Sequence, residues 1–297
     1  PSEMCIRDSV GGWATQNVSG GGPSYSSQNG KIYQAADNSM VCVSNASIRY
    51  RLPGAGTVWS AGALTTGGLI FTGAAHDGTK WYVTTNGSTL WTSPTGQTWT
   101  SATVANTAAQ SIAAKPGVVV IGRNVGGSQP FAVSTNGGTS FNLVTAAASQ
   151  GAMYVAFGNG VFVGISTSAS DGFSYLSTDG LTWTTVPLYR GHSCSSLSFS
   201  GGRFFAVFGG YYVASSADGI TWQWNEQGGT SNTSGTGAIL GFQSPTVPTL
   251  FFGFNMINTG EMFVRYPTGL GSSSAASIGM KAFDTWYNCL LYTPLMA

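Results

Sequence analysis

A short phrase of serine, threonine and glycine with a terminal aromatic residue recurs along this chain at nearly constant spacing. Its clearest copy, FSYLSTDGLTWTTVPL, occupies residues 173–188. The aromatic residues that mark the successive repeats are Trp13, Trp59, Trp99, Phe141, Trp183 and Trp222. The intervals between them are 46, 40, 42, 42 and 39 residues. A period near 40 is typical of a protein built from stacked structural repeats.

Each repeat contains short apolar or aromatic runs separated by turn residues. In residues 151–188 these runs are AMYVAF, VFVGIS, FSYLS and LTWTTVPL, with GNG and TDG among the turns between them. Runs rich in β-branched and aromatic residues, bounded by Gly, Asn and Asp, predict β-strands. No segment shows a helical period. Four strands per repeat predict an all-β fold, a β-propeller of four-stranded antiparallel blades.

The number of blades follows less directly from the sequence. Five units end at the aromatics from Trp59 to Trp222, and residues 237–266 contain three further apolar runs followed by a Gly/Ser-rich stretch. We expect the strand around Trp13 to complete this sixth unit and close the ring, because closure removes exposed sheet edges. Six blades are therefore predicted, or seven if residues 278–293 form more of a blade.

The two ends of the chain look unlike the rest. PSEMCIRDS at the start and CLLYT at 289–293 resemble translated sequencing-adapter sequence in assembled environmental reads. We therefore interpret residues 1–9 as an artefactual tail, residues 10–270 as the propeller, and residues 271–297 as a Gly/Ser-rich segment with a C-terminal tail. No signal peptide is visible, which says little about localisation if the N-terminus is truncated.

Composition excludes several classes of partner. Charged residues make up 7% of the chain and the net charge is +1, against about 25% charged residues in a typical soluble domain. Cations occur singly, so no nucleic-acid interface is expected. No apolar run reaches the roughly 18 residues of a membrane span. The four cysteines lack metal-binding spacing, and we expect no metal, no cofactor and no disulfide framework. The oligomeric state is not predicted.

The repeated phrase predicts a turn between the third and fourth strands of each blade. In residues 177–180 the glycine would adopt positive φ, while Asp179 would accept hydrogen bonds from backbone N–H groups. Trp183 would then face the seam between blades. Asn136 and Asp218 take the place of Asp179 in two other copies.

These turns resemble the Asp-box (BNR) repeat of sialidase-like propellers, whose pattern is S-x-D-x-G-x-T-W. Residues 134–141 fit that spacing with Asn136 in place of the acid, and the copies beginning at Ser177 and Ser216 are one residue shorter. The copy at Ser93 has Thr95 where the acid belongs. The resemblance implies a propeller whose boxes lie on the face away from an active site and take no part in catalysis.

A sialidase-like activity is the alternative that this resemblance raises. YRLP at 50–53 is similar to the [FY]-R-I-P motif that supplies one arginine to a substrate carboxylate in that family. Arg51, however, falls at the predicted third-to-fourth-strand turn, on the wrong face, and Arg265 recurs in an equivalent Arg-x-Pro. Acids are few, and His76 and His192 are the only histidines. We expect no enzyme, with a glycoside hydrolase as the alternative.

A ligand would bind where the loops from strand two to three and from strand four to the next strand one converge. The candidate residues in these loops are Arg123, Asp171, Tyr189, Arg190, His192 and Glu226. Solvated loop residues with no ligand are the competing interpretation. Our first hypothesis is a non-enzymatic module, extracellular or virion-associated, that binds a glycan or protein as a phage tail fibre or adhesin does. A further alternative is an assembly scaffold resembling the soluble propeller that helps build photosystem II.

Overall fold

The computed structural model describes residues 31–226 apart from short gaps, together with isolated strands on either side. The gaps are residues 45–46, 56–59, 65–66, 105–107, 147–150, 189–192, 201 and 209–211. The isolated strands are β1 (Glu3–Arg7) and β2 (Trp13–Asn17), which pair with each other as an antiparallel hairpin, and four short strands between residues 238 and 263.

Residues 31–226 form five four-stranded antiparallel blades, as the repeat predicts. The first blade comprises β3 (Lys31–Gln34), β4 (Met40–Ser44), β5 (Ser47–Arg51) and β6 (Ser60–Ala61). The second comprises β7 (Phe71–His76), β8 (Trp81–Thr85), β9 (Thr89–Ser93) and β10 (Thr100–Thr103). The third comprises β11 (Ala109–Lys115), β12 (Val118–Arg123), β13 (Phe131–Ser134) and β14 (Asn142–Val144). The fourth comprises β15 (Met153–Gly158), β16 (Val161–Ser166), β17 (Phe173–Ser177) and β18 (Thr184–Pro187). The fifth comprises β19 (Cys194–Ser200), β20 (Arg203–Phe208), β21 (Tyr212–Ser216) and β22 (Gln223–Glu226).

The hydrophobic core lies in the seams between consecutive blades. Four clusters of buried side chains occur, one for each seam between the first and the fifth blade. Strand β12 shows how the sequence produces this arrangement. Val119 and Ile121 pack into the seam with the second blade, whereas Val120 packs into the seam with the fourth. Successive side chains of a strand point to opposite faces, so a strand buried on both faces is continuously apolar.

The prediction of six complete blades is wrong for the described part of the chain. The expected sixth blade is a three-stranded sheet made of β23 (Ala238–Leu240), β25 (Phe252–Phe254) and β26 (Met262–Phe263). The strand β24 (Phe242–Gln243) is not part of it and pairs in parallel with β3 of the first blade. Its contacts with β19 place it between the first strands of the fifth and first blades. A change of pairing partner within a few residues leaves no signature in an apolar run.

Closure of the ring through the strand around Trp13 stays a prediction. In the structure, β2 pairs with β1, and Trp13 lies opposite Arg7. The segment 278–293, on which a seventh blade depends, lies outside the described residues, as does the predicted tail 271–297. The interpretation of residues 1–9 as an artefact also stays a prediction. Among the described residues, no helix is long and apolar enough to cross a membrane.

Candidate functional site

The antiparallel blades present two distinct faces. Turns between strands one and two and between strands three and four lie on one face, which we call the turn face. Connections between strands two and three, and from strand four to the next blade, lie on the opposite face, which we call the loop face. This division follows from the antiparallel order of all five blades, because consecutive connections must alternate between the two ends of a sheet.

The turn at residues 177–183 is held by hydrogen bonds within the repeated phrase. The Ser177 hydroxyl donates to Asp179 Oδ1 at 2.9 Å, and the N–H of Gly180 donates to Ser177 Oγ at 2.7 Å. Two following backbone N–H groups donate to the same Asp179 oxygen at 2.8 Å. The indole N–H of Trp183 donates to the Gly180 carbonyl at 2.7 Å. The phrase thus specifies a turn and a fixed indole orientation together.

The other repeat turns retain this geometry while their acidic position varies. In residues 216–222, Asp218 Oδ1 accepts two backbone N–H groups at 2.8 and 2.9 Å. In residues 134–141, Asn136 Oδ1 accepts a backbone N–H at 3.0 Å. In residues 93–99 the serine oxygen still accepts the glycine N–H, at 2.7 Å, although Thr95 replaces the acid. The serine–glycine contact is therefore the common element.

Both carboxylates in these turns are held in the ionised form. The backbone N–H of Thr182 is the largest of several influences that lower the pKa of Asp179 below its usual range. The backbone N–H of Thr221 does the same for the pKa of Asp218. A hydrogen bond to the charged form of a group favours that form, so both pKa shifts reflect the turn itself.

The aromatic residue that ends each described repeat packs into the seam behind its blade. The Trp183 ring stacks on Phe131 of the preceding blade, with centroids 3.7 Å apart and planes inclined by 10°. Trp99, Phe141 and Trp222 pack against the corresponding clusters of their own seams. Trp59 lies outside the described residues, and only the backbone of Trp13 is described. The repeated aromatics are thus structural residues.

Long polar side chains from strand one–two turns reach the repeat turn of the next blade. Lys115 Nζ donates to the Thr178 carbonyl at 2.6 Å. Asn159 Nδ2 donates to the carbonyls of Gly202 and Ala217 at 2.9 and 2.8 Å. Sequence analysis missed these contacts. The Asn-Gly at 159–160 indicates a turn, but nothing in it identifies acceptors more than 40 residues away.

A buried tyrosine–aspartate pair makes a similar connection between the second and third blades. The Tyr82 hydroxyl donates to Asp77 Oδ2 at 2.7 Å and approaches the Gly137 carbonyl at 3.3 Å. Asp77 Oδ1 also accepts the Thr79 and Lys80 backbone N–H groups. The acid of the HDGT turn therefore has a structural role on the turn face.

On the loop face, Arg123 braces its own loop. Its Nη1 donates to the Gln129 carbonyl at 2.6 Å, and its backbone N–H donates to the Pro130 carbonyl at 2.9 Å. The side chain is half-buried, and this burial lowers the pKa of the guanidinium below its usual value. Arg123 therefore holds the segment 124–129, whose residues are mostly exposed.

Asp171 is buried within the corresponding loop of the next blade. It is 5% exposed and interacts with Tyr175, a fully buried residue of β17. Burial, followed by the charge of Asp171 and its hydrogen bond, raises the pKa of Tyr175. Sequence analysis treated Asp171 as an acid without a partner, because the tyrosine four residues later looked like a core residue alone.

The remaining candidates on this face are only partly described. Tyr189, Arg190 and His192 lie outside the described residues. Glu226 ends β22 opposite Tyr212, and only its backbone is described. The structure therefore places Arg123 and Asp171 in equivalent loops of neighbouring blades, and the other four candidates stay predictions.

Residues that suggested catalysis have other surroundings. Arg51 ends β5, the third strand of its blade, and so lies towards the turn face. His76, expected in a solvated loop, ends β7, and its ring meets Trp81 edge-on at 4.8 Å. Its Nδ1 accepts the Gly78 N–H at 3.1 Å. Within the described ranges, no three His, Cys, Asp or Glu side chains are placed to hold a metal ion, and Cys42 and Cys194 are buried free thiols.

Comparisons with known proteins are informative at the level of the fold. No protein-family model and no curated protein matches the sequence. Among solved structures, YCF48 bound to D1 peptide matches with a TM-score of 0.55 and 15% identity, over 80% of this chain and 78% of that one. A catalytically inactive virginiamycin B lyase from Staphylococcus aureus with quinupristin matches with a TM-score of 0.63 and 8% identity, over 84% of both chains. A chain of the mitotic checkpoint complex matches with a TM-score of 0.58 and 9% identity, over 80% and 75%. The chain has a propeller fold that occurs in peptide-bound proteins, protein complexes and a lyase.

Proposed function

We propose that this chain is a non-catalytic binding propeller that recognises a glycan or a protein through its loop face. The observation that carries the proposal is the engagement of Arg123 with Gln129 and of Asp171 with Tyr175. The two ionisable groups described on this face hold loops in place. They do not stand side by side as an acid and a base would.

Braced loops favour binding because less conformational freedom is lost when a ligand docks. The segment held by Arg123 exposes Asn124, Ser128 and Gln129, whose amides and hydroxyl both donate and accept hydrogen bonds. Sugar hydroxyls and peptide backbones require this mixture. The proposal also includes Tyr189, Arg190 and His192 as ligand contacts, on the strength of the sequence prediction.

The chemistry of the chain favours a site outside the cell or on a virion, such as a phage tail fibre or an adhesin. A chain with 7% charged residues and 43 glycines interacts with its surroundings mainly through hydroxyls, amides and backbone. Such a surface suits the uncharged hydroxyl groups of a glycan better than a polyanion.

A glycan array tests this proposal directly. The wild type should give signals above background that fall when Gln129→Ala or Arg190→Ala is introduced. Gln129→Ala keeps the carbonyl that Arg123 binds, so the loop stays braced. Thr139→Ala, an exposed position on the turn face, is the matched control and should bind as the wild type does. An array at background level for the wild type would contradict the glycan form of the proposal.

A second candidate is a scaffold that binds a polypeptide during the assembly of a complex. The fold similarity to YCF48 bound to D1 peptide favours it. This version predicts co-purification with a protein partner and indifference to glycans, so the array and a pull-down separate the two. Release of a chromogenic sialoside that Arg51→Ala abolishes would instead support a glycoside hydrolase and overturn both.

A further inference from the structure

Four equivalent repeat turns differ at the position that follows their glycine. The residues there are Gln97, Thr139, Leu181 and Ile220, in the second to the fifth blade. Leu181 is 46% exposed and Ile220 is 51% exposed. Two large aliphatic side chains therefore stand in solvent at the same place on neighbouring blades.

The fold does not require an aliphatic side chain at this position. The turns that carry Gln97 and Thr139 retain the serine–glycine hydrogen bond at 2.7 and 2.8 Å. The turns with Leu181 and Ile220 have the same bond at 2.7 and 2.8 Å. A single exposed apolar residue is unremarkable on a protein surface, but here the repeat supplies an internal reference that shows a polar residue would serve.

Acidic residues are confined to the same two blades. The corresponding turn position holds Thr95, Asn136, Asp179 and Asp218 in the second to the fifth blade. Asp179 and Asp218 are exposed, and hydrogen bonds from the turn account for most of the lowering of their pKa values. No cation of the described part of the chain contributes to either pKa shift. Each carboxylate thus lies two residues from an exposed aliphatic side chain with its charge uncompensated.

We propose that Asp179, Leu181, Asp218 and Ile220 form an acidic-aliphatic surface that binds a partner polypeptide carrying cationic and aliphatic side chains. Charge complementarity selects a basic partner segment, because a neutral or acidic one would leave two carboxylates unpaired. The surface belongs to the turn face and is independent of the loop face proposed above.

The two kinds of side chain have different roles at such a surface. Covering Leu181 and Ile220 removes apolar area from water and supplies most of the affinity. Exposed ion pairs add little to affinity but speed encounter and depend on salt. We therefore expect replacement of the aliphatic residues to weaken binding at every salt concentration. Replacement of the acids should mainly remove the salt dependence.

Substitutions taken from the equivalent turns make a clean test. One double variant is Leu181→Thr with Ile220→Thr, after Thr139, and another is Asp179→Asn with Asp218→Asn, after Asn136. Ile70→Thr is the control, because Ile70 is 40% exposed on the loop face. The probes are three synthetic peptides of equal length, composed of lysine and leucine, glutamate and leucine, or lysine and serine, with fluorescence anisotropy as the measurement.

The wild type and Ile70→Thr should bind the lysine–leucine peptide alike and prefer it to both others. The aliphatic double variant should bind it about tenfold more weakly or worse. The acid double variant should bind equally at low and high salt. Failure of the wild type to bind, equal binding of the glutamate–leucine peptide, or unchanged binding by the aliphatic variant would each overturn the proposal. Matching thermal unfolding curves exclude loss of the fold as the cause.

Discussion

The Trp183 indole lies parallel to the Phe131 ring, with 3.7 Å between the ring centroids, and joins the fourth blade to the third. The indole N–H is anchored at the same time to the Gly180 carbonyl of its own turn. One residue therefore links the local hydrogen bonding of a turn to packing between sheets. That link explains why the phrase recurs once per blade.

Replacing Trp183 by alanine should destabilise the protein by about 3–5 kcal/mol, because it removes a large side chain from a packed seam. Chemical denaturation followed by fluorescence or circular dichroism measures the change. Leu181→Ala, two residues earlier but exposed, should stay within about 0.5 kcal/mol of the wild type. Equal effects of the two substitutions would mean that the seam contributes nothing particular.

Glycine in the repeat turn is required both for its backbone conformation and for lack of space. Gly219 has φ of +76°, and a Cβ there would lie 2.6 Å from Val163 of the preceding blade. Gly202, in the same blade, has φ of +77° with nothing within 4 Å. Gly202→Ala should therefore cost about 1–2 kcal/mol for its backbone alone, and Gly219→Ala about 1–3 kcal/mol more. Similar unfolding midpoints for the two variants would contradict this.

The inter-blade contact of Asn159 can be separated from its backbone conformation. Asn159 has φ of +49°, which glycine adopts freely. Asn159→Gly should lose only the two hydrogen bonds to the next blade, about 1 kcal/mol of unfolding free energy at this exposed site. Asn159→Asp should be less stable than Asn159→Gly at neutral pH, because a carboxylate would face two carbonyl oxygens. Acidification should narrow that difference, and a difference that is constant with pH would argue against the contact.

Asp179 should make stability depend on pH in a defined direction. Its pKa is lower in the folded protein than the value of about 3.9 typical of an unfolded chain. The stabilisation is therefore complete above the unfolded pKa and is lost as the pH falls through the folded one. We expect Asp179→Asn to be about 0.5–1 kcal/mol less stable at neutral pH and equal to the wild type well below pH 4. Denaturation curves across this range check the prediction, and a gap that widens in acid would contradict it.

Periodicity revealed the blades because each carries its own strands and turn, as residues 153–187 show. Local hydrogen bonding also predicted the role of Asp179. The sequence could not show which carbonyl Asn159 reaches, nor that Arg123 binds within its own loop, since both depend on the relative placement of distant segments. The pairing of β24 with β3 was missed for the same reason. Apolar runs indicate strands without naming their partners.

The most direct test of the seam is a double-mutant cycle on Trp183 and Phe131, each replaced by leucine. The free energies of unfolding should show a coupling of about 0.5–1.5 kcal/mol between the two rings. Trp183 paired with Phe71, which packs in the seam between the first and second blades, should show none. Additive effects of Trp183→Leu and Phe131→Leu would contradict the conclusion that the recurring aromatics hold neighbouring blades together.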